Sequence, residues 1–375
     1  MDNESKNTPN LAVSISPNIT SNLDDKWMLR ALEEGWKGRG LTSPNPTVGA
    51  IVVKDQIELG AGYHHRAGLP HAEREAIADV VAKHGAKVLQ GATIYVTLEP
   101  CSTAGRTPAC TSGILENKIG RVVYGAVDPS PDHAGAADRL LREQGVEVTT
   151  GVLHEECAKL LRPFAKRVTS GLPWVIAKTA MSLDGRITRP PSEGQWLTNP
   201  ESREIVHQLR AQVDAIIVGG KTVRRDNPRL TLRSEKSAAG KEQPWRVVLT
   251  HSSRESLPQD FHLFTDEFKK RTLIYEDQPL VDVLRDLAEK GCNSVLLECG
   301  GQLMRQFAEA ELIDEYQLFY APIITGGEDF GFGLGGHFKS SLRLKEVQST
   351  SIGQDTLISG VVDRSEKCGV TGTME

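Results

Sequence analysis

The chain has 375 residues, of which 39% are hydrophobic and 25% charged, and its formal net charge is -5. At about 150 residues per domain this length predicts two domains, and the composition excludes collagenous, coiled-coil and wholly disordered chains. The negative charge offers no basic surface to a phosphate backbone or an anionic membrane, and no apolar run approaches the roughly 18 residues of a transmembrane helix.

The first half of the chain predicts a mixed sheet between helices. Residues 1–23 lack the basic start and apolar run of a signal peptide, so we expect a disordered tail on a cytoplasmic protein. A helix over 24–37, capped by Asp24 or Asp25, is followed by a hairpin over 48–53 and 57–64, and Pro70 opens a helix that ends near His84. Strands then follow at 92–98, 121–127 and 146–150, with helices at 108–117 and 134–144.

The second half predicts another α/β domain. An amphipathic helix over 154–168 ends at the breaker 169–173, which places a domain boundary there and gives domains 24–170 and 171–363, with disordered tails at 1–23 and 364–375. Predicted strands lie at 174–178, 214–218, 246–249, 272–275, 294–299 and 315–321, with a final pair around 352–356. Predicted helices begin at Pro200 and span 281–290 and 302–310, while 234–243 is a polar loop.

Three potential metal ligands lie at the starts of two predicted helices: His71 at one, and Cys101 with Cys110 at the other. One imidazole and two thiolates suit a catalytic zinc site, which keeps its fourth position for a water whose pKa falls to about 7. Glu73 can approach that site only if His71 occupies the non-helical entrance marked by Pro70, and it would then carry a proton. Any one of these residues alone could be merely buried, but the combination favours a metal.

The same residues match a known signature. His71-Ala-Glu73, followed by Pro100-Cys101 and a second cysteine, is typical of zinc nucleoside-type deaminases, although eight residues rather than two separate the cysteines here. Together with Pro44-Asn-Pro46 and the Gly105-Arg-Thr-Pro108 that precedes Cys110, the pattern resembles the deaminase half of the bifunctional deaminase/reductase family of riboflavin biosynthesis. The resemblance implies a cytidine-deaminase-like three-layer domain.

The resemblance also implies a small phosphorylated pyrimidine as substrate, a diaminopyrimidinone that carries a ribosylamino group. Asn45 would contact its ring or hydroxyls, and Arg106 its phosphate, which a guanidinium can bind bidentately. Asn45 could instead be a turn residue between two prolines, and Arg106 a solvated loop charge. The chain has Ser43, Thr103 and Ala104 where the family commonly has histidines.

In the second half, the segments Lys178–Arg186, Gln195-Trp196, Leu209–Ala211, Gly219–Thr222 and Asp226–Leu230 resemble the family's reductase half, whose fold is similar to dihydrofolate reductase. Gly300-Gly301 lies between a predicted strand and a predicted helix, where a dinucleotide phosphate can approach backbone N–H groups, although such a pair also occurs in ordinary tight turns. A Gly-x-Gly-x-x-Gly fingerprint is missing from this turn, which argues against a Rossmann dehydrogenase. The stretch 326–336 is interpreted as a mobile loop rather than a second phosphate cradle.

The resemblance implies roles for particular residues of this half. The expected NADPH contacts are Ala180, Trp196, Thr222, Asp226, Gly300, Gly301, Gln302, Leu303, Met304, Arg305 and Gln306. The expected substrate contacts are Gly194, Arg210, Leu230, Arg233 and Glu298. Hydride delivery to C1′ of an opened ribosylamino sugar also needs a proton donor, for which Lys178, Asp226 and Glu298 are candidates. Each could instead form a surface ion pair, above all Asp226 beside Arg224 and Arg225.

Two other functions compete with this interpretation. A nucleic-acid base deaminase would need a basic, aromatic-rich strand-binding face, whereas the net charge is -5 and aromatic residues are 5%. A non-catalytic regulator with the same fold would not need the intact metal ligands and Glu73. We therefore expect a bifunctional enzyme with one Zn2+ per chain and NADPH as cofactors. We expect it to act on a small molecule as a homo-oligomer, without nucleic-acid or membrane partners.

Overall fold

A computed structural model describes residues 22–103, 108–130, 134–233 and 241–365. Arg106, and most of both predicted tails and of the predicted polar loop, lie outside these ranges. The described chain forms two compact units that divide between Pro173 and Trp174. None of the described helices is long and apolar enough to cross a membrane.

The N-terminal unit, which ends at Pro173, is built on a five-stranded sheet of order β2-β1-β3-β4-β5. β1 pairs antiparallel with β2 and β3, whereas β3, β4 and β5 are parallel, so the predicted mixed sheet is confirmed. The strands are β1 (Gly49–Lys54), β2 (Ile57–Tyr63), β3 (Thr93–Leu98), β4 (Arg121–Ala126) and β5 (Glu147–Thr150). The helices are α1 (Leu23–Trp36), α2 (Ala72–His84), α3 (Cys110–Glu116), α4 (Ala136–Glu143) and α5 (His154–Ser170), with a 3-10 turn at Ala86–Leu89.

The expected caps of α1 are wrong. Asn22 caps this helix, because its side chain accepts a hydrogen bond from the backbone N–H of Asp24. The Asp24 carboxylate is occupied elsewhere: it pairs with Arg121 at 2.7 Å and accepts a hydrogen bond from the Tyr95 hydroxyl. The bidentate Arg121 contact therefore ties the start of α1 to the first residue of β4.

Helix α5 runs two residues beyond its predicted end. The hydroxyls of Thr169 and Ser170 donate to the carbonyls of Ala165 and Lys166, so these polar residues extend the last turn instead of breaking it. Gly171 ends the helix with a φ of 69°, a left-handed conformation that glycine adopts without strain. The apolar face of α5 is buried in the core of the N-terminal unit through Leu160 and Leu161.

The C-terminal unit contains an eight-stranded sheet of order β12-β13-β11-β6-β10-β7-β8-β9. The run from β11 to β9 is parallel, and the last two strands add antiparallel pairs. The strands are β6 (Trp174–Ser182), β7 (Ala215–Gly219), β8 (Trp245–Thr250), β9 (Thr272–Glu276), β10 (Ser294–Leu297), β11 (Glu315–Ala321), β12 (Leu344–Ile352) and β13 (Asp355–Val362).

The helices of this unit are α6 (Pro200–Ala211), α7 (Gly220–Asp226), α8 (His262–Thr265), α9 (Leu280–Glu289) and α10 (Gly301–Glu309), with 3-10 turns at Arg254–Ser256 and Lys269–Arg271. The short helices α7 and α8 are not predicted by hydrophobic periodicity, since they hold only two turns or fewer. Ligands of open parallel sheets bind at the carboxyl ends of the strands. The residues that follow β7, β8, β9 and β10 are therefore candidates for a ligand-binding site.

Candidate functional sites

His71 stands at the entrance of α2, as the expected metal site requires. Its φ of -76° and ψ of 166° are extended, so it precedes the helix rather than belonging to it. Glu73 lies in the first turn of α2 with 3% of its surface exposed. Residues two apart within a helix point to different faces. An extended residue before the helix can instead project its side chain toward the same space as a residue of the first turn, so His71 and Glu73 can converge.

The structure brings the three expected ligands together. The Sγ atoms of Cys101 and Cys110 lie 3.5 and 3.3 Å from Nδ1 of His71. In tetrahedral zinc sites, bond lengths of about 2.0–2.3 Å place a nitrogen and a sulfur ligand about 3.6 Å apart. Within the described part of the chain this is the one group of three such side chains that could hold a metal ion. The donor set and its spacing fit zinc.

Backbone contacts hold the two cysteines in place. The N–H of Cys110 donates to Sγ of Cys101 at 3.2 Å, and the N–H of Thr111 donates to the Cys101 carbonyl. Arg74, one residue after Glu73, donates to the carbonyls of Pro108 and Ala109 and so joins α2 to the start of α3. Hydrogen bonding by the Cys110 thiol and by His71 lowers the pKa of Cys101, whereas the same contact with Cys101, together with burial, raises the pKa of Cys110. The pair therefore holds one thiolate and one thiol, and a bound cation would favour the second thiolate.

Two buried carboxylates in this unit have different surroundings. Both oxygens of Glu99 accept backbone N–H groups, those of Asp128, Gly135 and Ala137, at 3.0–3.3 Å. Glu99 therefore caps α4 and is a structural residue. Burial, followed by the charge of Cys101, raises the pKa of Glu73 to about 7, a value suited to receiving and releasing protons near neutrality.

His64 is a neighbour of this site that the sequence analysis missed. Its Nδ1 lies 2.9 Å from the Pro70 carbonyl, so that nitrogen carries the proton and Nε2 is an acceptor. The side-chain amide nitrogen of Asn45 donates to this Nε2 at 3.0 Å, and the His64 ring stands edge-on to the ring of His71. Its place at the end of a predicted strand gave no chemical signal, because the contact with Asn45 depends on the folded hairpin.

A pocket in the C-terminal unit lies at the carboxyl ends of the parallel strands. Of the expected NADPH contacts, those that line it are Thr222, Gly300, Gly301, Gln302, Leu303 and Gln306. Met304 is fully buried in the core instead, and the Arg305 guanidinium donates to the Gly336 carbonyl. Ala180, Trp196 and Asp226 are not part of the lining.

Trp196 and Asp226 have other surroundings. Trp196 is 59% exposed, with the Arg203 guanidinium 5.2 Å from its ring centre. Asp226 forms an ion pair with Arg225 at 2.8 Å, which is the alternative that the sequence offered to a chemical role. An exposed pair of adjacent residues contributes little to stability, so it leaves either partner able to change contacts when a ligand binds.

A cluster of buried charges contains three of the expected substrate or catalytic residues. Arg210 forms a bidentate ion pair with Glu298, with N···O distances of 2.6 and 3.0 Å. Burial alone would raise the pKa of Glu298, but the Arg210 and Lys178 charges offset this and hold the pKa of the carboxyl below its usual range. Burial lowers the pKa of Lys178, whose ammonium lies 5.8 Å from the centre of the Phe319 ring.

The remaining expected substrate residues are less closely grouped. Burial, followed by the positive charge of Arg210, lowers the pKa of Arg233. The two guanidinium groups are therefore close enough to repel each other. Leu230 is 3% exposed and packs in the core, and Gly194 has a φ of 86° in the loop before α6. Arg106 lies outside the described residues.

Sequence comparisons assign each unit to a family model. Residues 21–126 match the cytidine and deoxycytidylate deaminase zinc-binding region, and residues 173–358 match the RibD C-terminal domain. A riboflavin biosynthesis protein RibD from Synechocystis is 36% identical over 366 residues, covering 90% of this chain and 96% of the relative. The chain belongs to the RibD family. RibD from Escherichia coli is 35% identical and covers 82% of the chain and 90% of the relative.

Solved structures of RibD proteins share the architecture of both units. Acinetobacter baumannii RibD has a TM-score of 0.81 and 33% identity, and covers 91% of this chain and 99% of its own. The deaminase/reductase from Thermotoga maritima has a TM-score of 0.80 and 34% identity, with the same coverage. These matches confirm the expected fold class, a cytidine-deaminase-like unit followed by a RibD-type reductase unit.

Proposed function

We propose that this chain is a bifunctional enzyme of riboflavin biosynthesis, in which the N-terminal unit deaminates a pyrimidine and the C-terminal unit reduces its sugar. The observation that carries the proposal is the presence in one chain of two separate sites. One is the His71, Cys101 and Cys110 cluster beside a buried Glu73, and the other is the pocket at the Gly300-Gly301 turn. The two matched family models follow in the same order.

In the deaminase unit, His71, Cys101 and Cys110 would hold one zinc ion. Zinc in such a site supplies an activated water at neutral pH. Glu73 accepts a proton from the attacking water and passes it to a ring nitrogen. It then delivers a proton to the departing amino group, which leaves as ammonia. Asn45 binds the substrate, and the hydrogen bond to His64 fixes which way its amide points. That bond directs the amide oxygen away from His64.

In the reductase unit, NADPH would occupy the pocket and supply a hydride for C1′ of the opened sugar. A Cβ at Gly300 would meet no atom within 4 Å, so a phosphate can approach the backbone N–H groups at the start of α10 there, whereas the space beside Gly301 is filled by Phe330 and Gly333. Lys178 donates a proton to the imine nitrogen of the opened sugar as C1′ receives the hydride, since its lowered pKa makes it a better acid than an exposed lysine. Glu298, held by Arg210, balances the charge, while Arg210 and Arg233 face the anionic substrate.

The proposed substrate is the diaminopyrimidinone ribosylamino 5′-phosphate that the family resemblance implies, and the proposed cofactors are one Zn2+ per chain and NADPH. The test supplies the whole chain with zinc, NADPH and this substrate, and records ammonia and NADPH absorbance together. We expect one NADPH to be consumed for each ammonia released, with ammonia first. Ammonia release without NADPH consumption, or the reverse, contradicts a bifunctional enzyme.

A further inference from the structure

One wall of the dinucleotide pocket is formed by a segment distant in sequence from the Gly300-Gly301 turn. Residues 325–336, named here the wall segment, contribute Glu328, Asp329, Phe330, Gly333 and Leu334 to the lining. A Cβ at Gly301 would collide with the Phe330 carbonyl oxygen and the Gly333 backbone nitrogen. The wall segment therefore packs directly on the backbone of the turn.

The start of the wall segment is fastened by Asp184, which follows β6. One carboxylate oxygen of Asp184 accepts from the Ser182 hydroxyl at 2.5 Å and from the N–H of Thr325 at 3.2 Å, and the other accepts from the N–H of Gly326 at 2.9 Å. The bond from Ser182, with the backbone N–H groups, lowers the pKa of Asp184 to about 2. The carboxylate thus stays charged across the neutral range.

The residues after Asp184 make further contacts with the part of the wall segment that lines the pocket. The Ile187 N–H donates to the Asp329 carbonyl at 2.9 Å, and the Gly331 N–H donates to the Gly185 carbonyl at 3.0 Å. The Arg186 guanidinium, 3.5 Å from the Asp184 carboxylate, also lies 3.4 Å from the centre of the Phe330 ring. These contacts link Asp184 to the residues that cover the Gly300-Gly301 turn.

We propose that Asp184 is a positioning residue for the dinucleotide cofactor: it does not touch the cofactor but holds the wall segment in the conformation that completes the pocket. This inference rests on the proposed reductase function of the unit. A segment that spends only a tenth of its time in the binding conformation weakens apparent affinity about tenfold. Loss of Asp184 should therefore act on cofactor affinity rather than on chemistry.

The test compares Asp184→Ala and Asp184→Asn with Asp363→Ala in the whole chain. Asp363 is a matched control, because its carboxylate also accepts from a serine hydroxyl and a backbone N–H, at Ser365, and lies 3.7 Å from a cation, Lys345. Both aspartate side chains are 25% exposed. Asp363 lines no part of the pocket.

We expect Asp184→Ala to raise the dissociation constant of NADPH, measured by fluorescence titration, about tenfold. The KM for NADPH should rise with it, while kcat and the KM for the deaminated pyrimidine stay unchanged. Hydrogen exchange should quicken at Thr325 and Gly326. Asp184→Asn, which keeps an acceptor oxygen but loses the charge, should have a smaller effect, and Asp363→Ala none.

Unchanged NADPH affinity in Asp184→Ala would overturn the proposal, and so would an equal loss in Asp363→Ala. If Asp184→Ala does not fold, Asp184→Asn decides by the same comparison. Failure of the unaltered chain to bind NADPH is a different result, since it removes the proposed reductase function. In that case the hydrogen-exchange comparison still shows whether Asp184 fastens the wall segment.

Discussion

The candidate metal cluster of the N-terminal unit and the proposed dinucleotide pocket of the C-terminal unit are assembled from residues separated by different distances along the chain. The cluster uses two short motifs, and each ligand lies within three residues of a helix start or a strand end. The pocket draws on residues from Ile187 to Leu334, and its wall depends on hydrogen bonds from a loop after β6. Chemistry in the first unit is therefore concentrated in a few side chains, whereas binding in the second depends on backbone placement.

Replacement of one metal ligand should cause the largest loss. Cys101→Ser exchanges a thiolate for a weak hydroxyl ligand, so we expect zinc and deamination to disappear while reduction of the deaminated substrate continues. Cys157→Ser is the control, because Cys157 is a buried thiol of the same unit that packs in the core. Metal analysis that still finds about one zinc per chain in Cys101→Ser would refute its assignment as a ligand.

Glu73 and Glu99, both buried, distinguish a chemical role from a structural role within the same unit. Glu73→Gln should keep zinc but lower deamination at least about a hundredfold, because proton transfer contributes on that scale. Glu99→Gln should instead lower the free energy of unfolding by about 1–3 kcal/mol, since an amide group cannot accept all the backbone N–H groups that the carboxylate binds. Near-normal ammonia release from Glu73→Gln would remove that residue from its role.

In the C-terminal unit, two adjacent glycines test the importance of backbone placement. A Cβ at Gly301 would collide with the Phe330 carbonyl, whereas a Cβ at Gly300 meets no atom within 4 Å. We expect Gly301→Ala to lower the free energy of unfolding by about 1–3 kcal/mol, as overpacking does, and Gly300→Ala to leave it almost unchanged. Equal melting temperatures for the two variants would show that the wall segment does not rest on the turn.

The clustering of His71, Cys101 and Cys110 was largely predictable because its determinants are local. Pro70 and the helical pattern after it place His71 at a helix entrance, and the structure has it there. The N-terminal cap of α1 was not predictable, because Asn and Asp are both good capping residues and the sequence offers Asn22 and Asp24. The choice between them depends on Arg121, far along the chain.

The pocket was predictable only in part. The Gly300-Gly301 turn and α10 follow from sequence, but nothing in the stretch 326–336 says that it packs on that turn. Its glycines predicted a loop, and the contacts that place it come from Asp184, Gly185 and Ile187. Met304 belongs to a segment expected to bind NADPH, yet its position in α10 places its side chain in the core. Membership of a motif therefore did not predict which of its residues line the pocket.

The central claim, that each unit carries its own chemistry, is tested most directly by the fragment that begins at Leu172. The division between Pro173 and Trp174, and the packing of α5 in the N-terminal core, favour a soluble fragment. We predict that it binds no zinc and oxidises NADPH on the deaminated substrate at close to the rate of the whole chain. If the soluble fragment neither binds NADPH in a fluorescence titration nor reduces the substrate, while the intact chain does both, the claim is wrong.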